Sequence, residues 1–206
     1  MYIPKNFLTT DREEMIGFMK KYSFATIITA KDNFPTATHL PFLVSAKGDT
    51  IMLTSHFAKA NEQWKQIAEN KVLVIFSEPH AYISPKHYDK ELNVPTWNYF
   101  SVHAYGQGQL ITDTEKTFEV LEATIENYEI DYKQQWNRLP EDYKMKMVKE
   151  IVAFEVIIMD LQAKKKLSQN KTNAEQMRII ETLSDSDNSN ERDIAEYMNQ
   201  NQIMQE

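Results

Sequence analysis

Residues 24–58 read FATIITAKDNFPTATHLPFLVSAKGDTIMLTSHFA, and this stretch decides the fold class. Three β-branched runs stand in it, FATIITA (24–30), TATHLPFLVS (36–45) and TIMLTSHF (50–57). Side chains of that type suit a pleated, half-buried surface. Lys31-Asp32-Asn33-Phe34-Pro35 and Ala46-Lys47-Gly48-Asp49 supply turn chemistry between them. Strands joined by such short turns predict an antiparallel meander, because parallel neighbours need a long crossover.

Working outward, Thr10-Asp11-Arg12-Glu13 has the form of a capping box. Met15, Phe18, Met19 and Tyr22 then recur at helical spacing, predicting a helix to about Lys21. Lys59 to Asn70 reads as a second helix with Trp64, Ile67 and Ala68 on one side, followed by the strand signal KVLVIFSEPHAYI (71–83). Trp97 to Ile111 reads as a further strand. Thr112-Asp113-Thr114-Glu115 is another capping box, ahead of the stripe Phe118, Leu121, Ile125 and Tyr128. Pro140 opens a short helix, and IVAFEVIIMDLQ returns to strand with Val152, Phe154, Val156 and Ile158 on one face. The expected class is mainly β (α+β): an antiparallel barrel with flanking helices and a helical C-terminal tail. Residues 1–171 form its domain and residues 172–206 an acidic appendage, in which the low-complexity run 184–190 separates two candidate helices.

The 206 residues, 42% hydrophobic and 26% charged, suit one globular core, and 10 Phe, 10 Tyr and 3 Trp give it area. With no cysteine, disulfides, thiolate zinc, iron–sulfur clusters and a cysteine nucleophile are excluded together. The opening MYIPKNFLTTDREE lacks the apolar core of a signal peptide, and no apolar run reaches the roughly 18–20 residues of a membrane span. The expected location is therefore the cytoplasm, with no membrane partner. A formal net charge of -7 argues against a broad grip on nucleic acid.

The densest polar and aromatic sequence is SEPHAYISPKHYDKELNVPTWNYFSVHAYGQG (77–108). A loop as long as Pro85 to Pro95 is more than a connector, although its aromatics serve equally to cover the barrel's open end. Gly106 and Gly108, two of only 4 glycines, suggest a bulge or a close backbone approach. Thr54-Ser55-His56-Phe57-Ala58-Lys59-Ala60-Asn61 places hydroxyls and a lysine where a strand ends and a helix begins. Free amides there make a natural phosphate site, or equally a plain N-cap. Lys164-Lys165-Lys166 with Leu167-Ser168-Gln169-Asn170-Lys171 is either a solvated face or part of an anion site. His39, His56, His80, His87 and His103 show no close ligand spacing, so no metal site is expected. No nucleophile elbow, Walker loop or dinucleotide fingerprint is present. Any catalysis would have to come from a cofactor.

Assembled, these residues resemble the PaiB family, whose members look like FMN-binding split barrels and carry the label of negative transcriptional regulators. The resemblance runs through Met1-Tyr2-Ile3-Pro4, Ala37-Thr38-His39-Leu40-Pro41-Phe42, His80-Ala81-Tyr82-Ile83-Ser84, Val94-Pro95-Thr96-Trp97-Asn98-Tyr99, Val102-His103-Ala104-Tyr105-Gly106 and Lys166-Leu167-Ser168-Gln169-Asn170, and fades beyond Lys171. It implies a homodimer with FMN at the subunit interface. The resemblance further implies that Thr38, His39, Ser55, Lys59 and Asn61 hold the phosphate and ribityl chain. Trp97 and Asn98 then face the ring system, and Lys166, Ser168, Gln169 and Asn170 close the site from either subunit. Lys59, lacking the fork of an arginine, makes a point-charge contact.

Three functions follow. The first is an FMN-binding regulator acting through a small-molecule ligand or a partner; the second is an FMN-dependent oxidoreductase on an unknown small molecule; the third, ranked lower, is a haem binder. The tail has a faint helix-turn-helix outline, with Met177, Ile179, Ile180 and Leu183 before the turn and Ile194, Ala195, Tyr197 and Met198 after it. Direct DNA binding is nonetheless doubtful. Residues 173–206 carry Arg178 and Arg192 against eight acidic residues, a net of −6 that phosphates repel.

Overall fold

The computed structural model describes residues 1–203 and, among them, an antiparallel sheet of nine strands with seven helices, the mainly β class expected. The chain resolves into two compact units: Met1–Met15, Ser77–Val102 and the C-terminal stretch from Gln162 make unit one, and Ile16–Phe76 with His103–Leu161 make unit two.

Unit two contains β2 (Phe24–Lys31), β3 (Phe34–Pro41), β4 (Leu43–Lys47), β5 (Thr50–Ala58) and β6 (Lys71–Phe76). It also holds the second part of β8 (Thr96–Leu110) and the first part of β9 (Ile151–Lys166). The strand order is β3-β2-β6-β8-β9-β5-β4. The meander expected at 24–58 is thus two hairpins. β2 pairs β3 around Asp32 and Asn33, both at positive φ, and β4 pairs β5 around Gly48 at φ 56. The hairpins stand at opposite ends of the order, because the chain changes neighbours at Phe42, whose ring is buried against Phe76 and Phe154 at 6.1 and 6.2 Å. Period-2 alternation buries Ala25 and Ile27 on β2, Ile51, Leu53 and Phe57 on β5, and Val72, Val74 and Phe76 on β6. The close approach foreseen at the glycines is to the chain itself. A Cβ on Gly106 would stand 2.4 Å from the Ile157 carbonyl oxygen, and one on Gly108 2.7 Å from that of Ile67.

Unit one pairs β7 (His80–Ile83) with the first part of β8 and β1 (Leu8–Thr9) with the end of β9. The strand expected over 71–83 is therefore two strands, interrupted at Ser77-Glu78-Pro79, where proline offers no amide to a ladder. α6 (Asn173–Ser184) and α7 (Ser189–Ile203) do not form a separate appendage. Ile179, Ile180, Leu183, Ile194, Ala195 and Met198 share one buried cluster with Ala81, Ile83, Tyr88 and Leu167, so the boundary expected at residue 171 does not divide compact units. Residues 204–206 of that expected appendage lie outside the described residues.

Helix starts are displaced from the expected capping boxes by one residue. Asp11, not Thr10, caps α1 (Arg12–Lys21), accepting from the amides of Glu13 and Glu14 at 3.0 and 3.1 Å. Asp113, not Thr112, caps α3 (Thr114–Tyr128), accepting from the Lys116 amide at 2.9 Å. A carboxylate caps as well as a hydroxyl and gains the helix dipole in addition. The helix expected over 59–70 shrinks to the single turn α2, Trp64–Ile67. α4 (Tyr132–Arg138) and α5 (Glu141–Lys149) follow, with Pro140 at the N-cap of α5.

Candidate functional site

The residues expected to form the site fall into two groups, one in each unit. In unit two the sequence reading places a phosphate at Thr38, His39, Ser55, Lys59 and Asn61. The structure joins Thr38 to Asn61 through a residue that reading passed over, Gln63. The Gln63 side chain is buried; its amide nitrogen donates to the Ile27 carbonyl (3.2 Å), the Thr29 hydroxyl (3.3 Å) and the Thr36 carbonyl (3.1 Å). Its Oε1 accepts from Thr38 at 2.6 Å; Asn61 Nδ2 donates to the Thr38 hydroxyl at 2.9 Å, and Asn61 Oδ1 accepts the Gln63 backbone amide at 3.1 Å. Gln63 is thus a hub that sets two of the expected ligand residues in place.

The helix-start cradle is a correction. With α2 beginning only at Trp64, the Lys59 amide donates to the Glu150 carbonyl (2.8 Å) and the Asn61 amide to the Ala58 carbonyl (2.9 Å). Those amides are spent on the fold and the Asn61 side chain is bonded to Thr38 and Gln63, so the Lys59 side chain is what remains for an anion. Ser55 is buried and its hydroxyl donates to the Pro41 carbonyl at 2.7 Å. His39 is exposed beside Phe24, ring centroids 6.4 Å apart. His56 next to Ser55 has its pKa pushed down by burial.

In unit one, Trp97 and Asn98 are neighbours on β8, and strand alternation sends them to opposite faces. Trp97 is 52% exposed and packs with His80 and Tyr82, each at 5.8 Å between centroids. Asn98 is fully buried, accepting from the Ser168 hydroxyl (3.1 Å) and donating to Met198 Sδ (3.5 Å). Trp97 alone of this pair presents a surface to a ring ligand.

The lysine run 164–166 is the end of β9 and not a solvated face. Lys165 is buried in an ion pair with Glu14, while Lys164 lies over the rings of Tyr2 and Tyr99. Lys166 donates to the Thr96 hydroxyl and, at 2.6 Å, to the Trp97 carbonyl; burial and the nearby Lys164 push its pKa down. The chain then turns through Ser168 at φ 60, closed by the Lys171 amide on the Ser168 carbonyl (2.9 Å). Gln169 turns inward, its side chain bonded to Leu167 N and Lys165 O. The structure brings Lys166, Ser168 and Asn170 to the wall of one cavity of about 270 Å3, with Phe7, Tyr88, Asn93, Val94, Thr96 and Lys171. Tyr88 and Lys171 were missed as site residues, although both stand in stretches singled out for their chemistry.

Unit two carries larger spaces. One of about 620 Å3 lies among Leu43, Met52, Thr54, Asp113, Lys116 and Glu155, and none of the expected residues lines it. Another of about 360 Å3 includes Lys59 with Trp64, Thr117, Val148 and Lys149 on its wall. No group of acidic and histidine side chains suited to a metal occurs among the described residues. No helix among them is long and apolar enough to cross a membrane.

For FMN, the donor set fits in part. Its phosphate suits the Lys59 side chain within unit two, or the remaining ammonium protons of Lys166 and Lys171 within unit one, and its flat ring suits the exposed Trp97 surface of unit one. Ser55, Asn61, Asn98, Ser168 and Gln169 are committed to internal hydrogen bonds.

Comparison with known proteins agrees with this chemistry. The family described as "Putative FMN-binding domain" matches residues 1–160. Protease synthase and sporulation protein PAI 2 of Bacillus subtilis (strain 168) is 41% identical over 201 residues, covering 96% of each chain. Among solved structures, the FAD and haem binding protein from Mycobacterium smegmatis superposes with a TM-score of 0.62 at 15% identity, over 83% of this chain and 78% of that one. The flavocytochrome Anf3 from Azotobacter vinelandii gives 0.62 at 17% identity, over 80% and 72%. At those identities the two structures speak for the fold alone. The family match and the full-length relative place the chain in the PaiB-type family of FMN-binding domains, whose cofactor is FMN.

Proposed function

We propose that this protein is a flavin-binding regulator of the PaiB type, a cytoplasmic homodimer that holds FMN and acts through a small-molecule ligand or a protein partner. The observation that carries the reading is the family match over residues 1–160, joined to a full-length relative named for protease synthase and sporulation. When bound, FMN supplies one- and two-electron redox chemistry. Within unit two, Lys59 is the cation for the phosphate beside Thr38 and Asn61, which Gln63 holds in place, while His39 stands on the opposite face of β3. Within unit one, Trp97 offers the aromatic face, and Lys166 and Asn170 the polar one.

An indirect mode of regulation is favoured by the tail. The apolar faces of α6 and α7 are consumed by the unit-one core, and the stretch 173–206 carries the net −6 that disfavours a phosphate backbone.

Titration of purified protein with FMN, followed by flavin absorbance and quenching of tryptophan fluorescence, tests the cofactor. Saturable binding that weakens in Asn61→Ala or Trp97→Ala supports the reading. Colourless protein that ignores FMN at high micromolar concentration overturns it. Light scattering on the eluting protein checks the dimer, and salt-sensitive, sequence-selective gel shifts would overturn the indirect mode.

A further inference from the structure

The cavity of unit one holds donors that the fold leaves unspent. Its wall carries two cations, Lys166 and Lys171, and no carboxylate. An ammonium group has three protons to donate. Lys166 directs two at Thr96 and the Trp97 carbonyl, and Lys171 directs one at Asn93 Oδ1 (2.8 Å). Neither makes an ion pair among the described residues. The nearby carboxylate, Glu175, accepts the backbone amides of Asp89 and Thr172, both at 3.0 Å, and interacts with the Lys171 charge through space without forming an ion pair with it.

The second, independent feature is Tyr88. It is 9% exposed and lies on the same wall with Lys171 Nζ 3.7 Å from its ring centroid, yet its hydroxyl has no hydrogen-bond partner among the described residues. A buried hydroxyl without a partner costs stability and calls for an explanation, of which an ordered water, an ion or a ligand that accepts its proton is one. Burial raises the pKa of Tyr88, with Glu175 adding to the effect, so the group stays a donor at neutral pH. Burial together with Lys164 also disfavours the charge on Lys166, a penalty that a bound anion relieves.

We propose that this cavity is a binding site for a phosphate-sized oxyanion, held by the Lys166 and Lys171 ammonium groups with the Tyr88 hydroxyl as a third donor. Its volume of about 270 Å3 lies below the roughly 300–1,000 Å3 of pockets that enclose a whole ligand. The cavity therefore takes an anionic group and leaves any flavin ring outside. The anion is either a free phosphate or phosphate ester, or the phosphate end of FMN; the chemistry of recognition is the same, and competition separates the two.

Calorimetric titration of the full chain, free of flavin, with inorganic phosphate tests the site. The expected result is saturable binding, weakened roughly tenfold in Tyr88→Phe and at least as much in Lys171→Gln. Tyr88→Phe keeps the ring and removes only the orphaned hydroxyl, so its urea midpoint without phosphate stays level or rises. Absence of phosphate binding at ten-millimolar levels, or equal binding by parent and both variants, overturns the proposal. Repeating the titration at saturating FMN and at saturating riboflavin identifies the source. Displacement by FMN alone assigns the phosphate to the flavin, and undiminished binding under both assigns it to a separate molecule. Because the first titration contains no flavin, it reads the site even where FMN binding fails.

Discussion

The hub around Gln63 and the cavity around Tyr88 use the same kinds of groups, amides, hydroxyls and lysines, in opposite ways. At Gln63, four hydrogen bonds of the side chain and one donated by its own backbone amide to Asn61 close the network on itself. At Tyr88 a buried hydroxyl stays unpaired among the described residues, beside two lysines with protons to spare. The stretch richest in apparent phosphate chemistry, 54–61, proves to have committed its Lys59 and Asn61 amides and its Ser55 hydroxyl to the fold. A ligand site is better marked by donors left over than by donors present.

The comparison can be broken first through the packing that builds the cavity. Ile194→Ala empties a fully buried position of the α7 face and should cost about 4 kcal/mol in urea unfolding. A loss below about 1 kcal/mol would show that the tail is the loose appendage the sequence suggests. Gln63→Leu keeps volume while taking the acceptor from the Thr38 hydroxyl proton and the donor from the buried acceptors around it, so about 3 kcal/mol of destabilisation is expected, with weaker FMN binding. A variant as stable as the parent would remove Gln63 from its place as hub.

Gly106→Ala drives a methyl against the Ile157 carbonyl and should cost about 2 kcal/mol, with the flavin titration unchanged if the glycine serves only strand packing. Loss of FMN binding without loss of stability would give Gly106 a ligand role instead. The smallest effect is one of pH. Burial holds the pKa of His56 below its usual value, so the folded state prefers the neutral ring. That contribution is complete above the unfolded value of about 6.5 and is lost as pH falls below it toward the folded pKa. Urea midpoints at pH 7.5 and 5.5 should differ in the parent and differ less in His56→Gln. Equal differences would mean that His56 charges freely in the folded protein.

How much of this was legible varied with the range of the forces involved. The turn residues Asp32, Asn33 and Gly48 announced their hairpins, since positive φ is a local demand. Helices α1 and α3 were visible, but the caps were misassigned because Thr-Asp offers two cap residues in succession and local pattern does not rank them. The motif Lys166 to Asn170 pointed at the cavity, although Gln169 turned inward. Gln63 gave no signal at all, since Thr29, Thr36 and Thr38 come to it from 25 to 34 residues away. Tyr88 looked like any aromatic of a long loop.

By itself the sequence determined the strands of 24–58, the absence of thiol chemistry, the acidic tail and the likeness to FMN-binding split barrels. Alternation, turn propensity and composition act over a few residues, so they survive in a one-dimensional reading. Tertiary structure alone decided that the two hairpins of that stretch part company at Phe42, that Asn98 turns inward while Trp97 turns outward to company with His80 and Tyr82, and which donors are left unpaired. Whether a hydroxyl or an ammonium group is spent depends on partners far along the chain, and only the folded molecule brings them within hydrogen-bond distance.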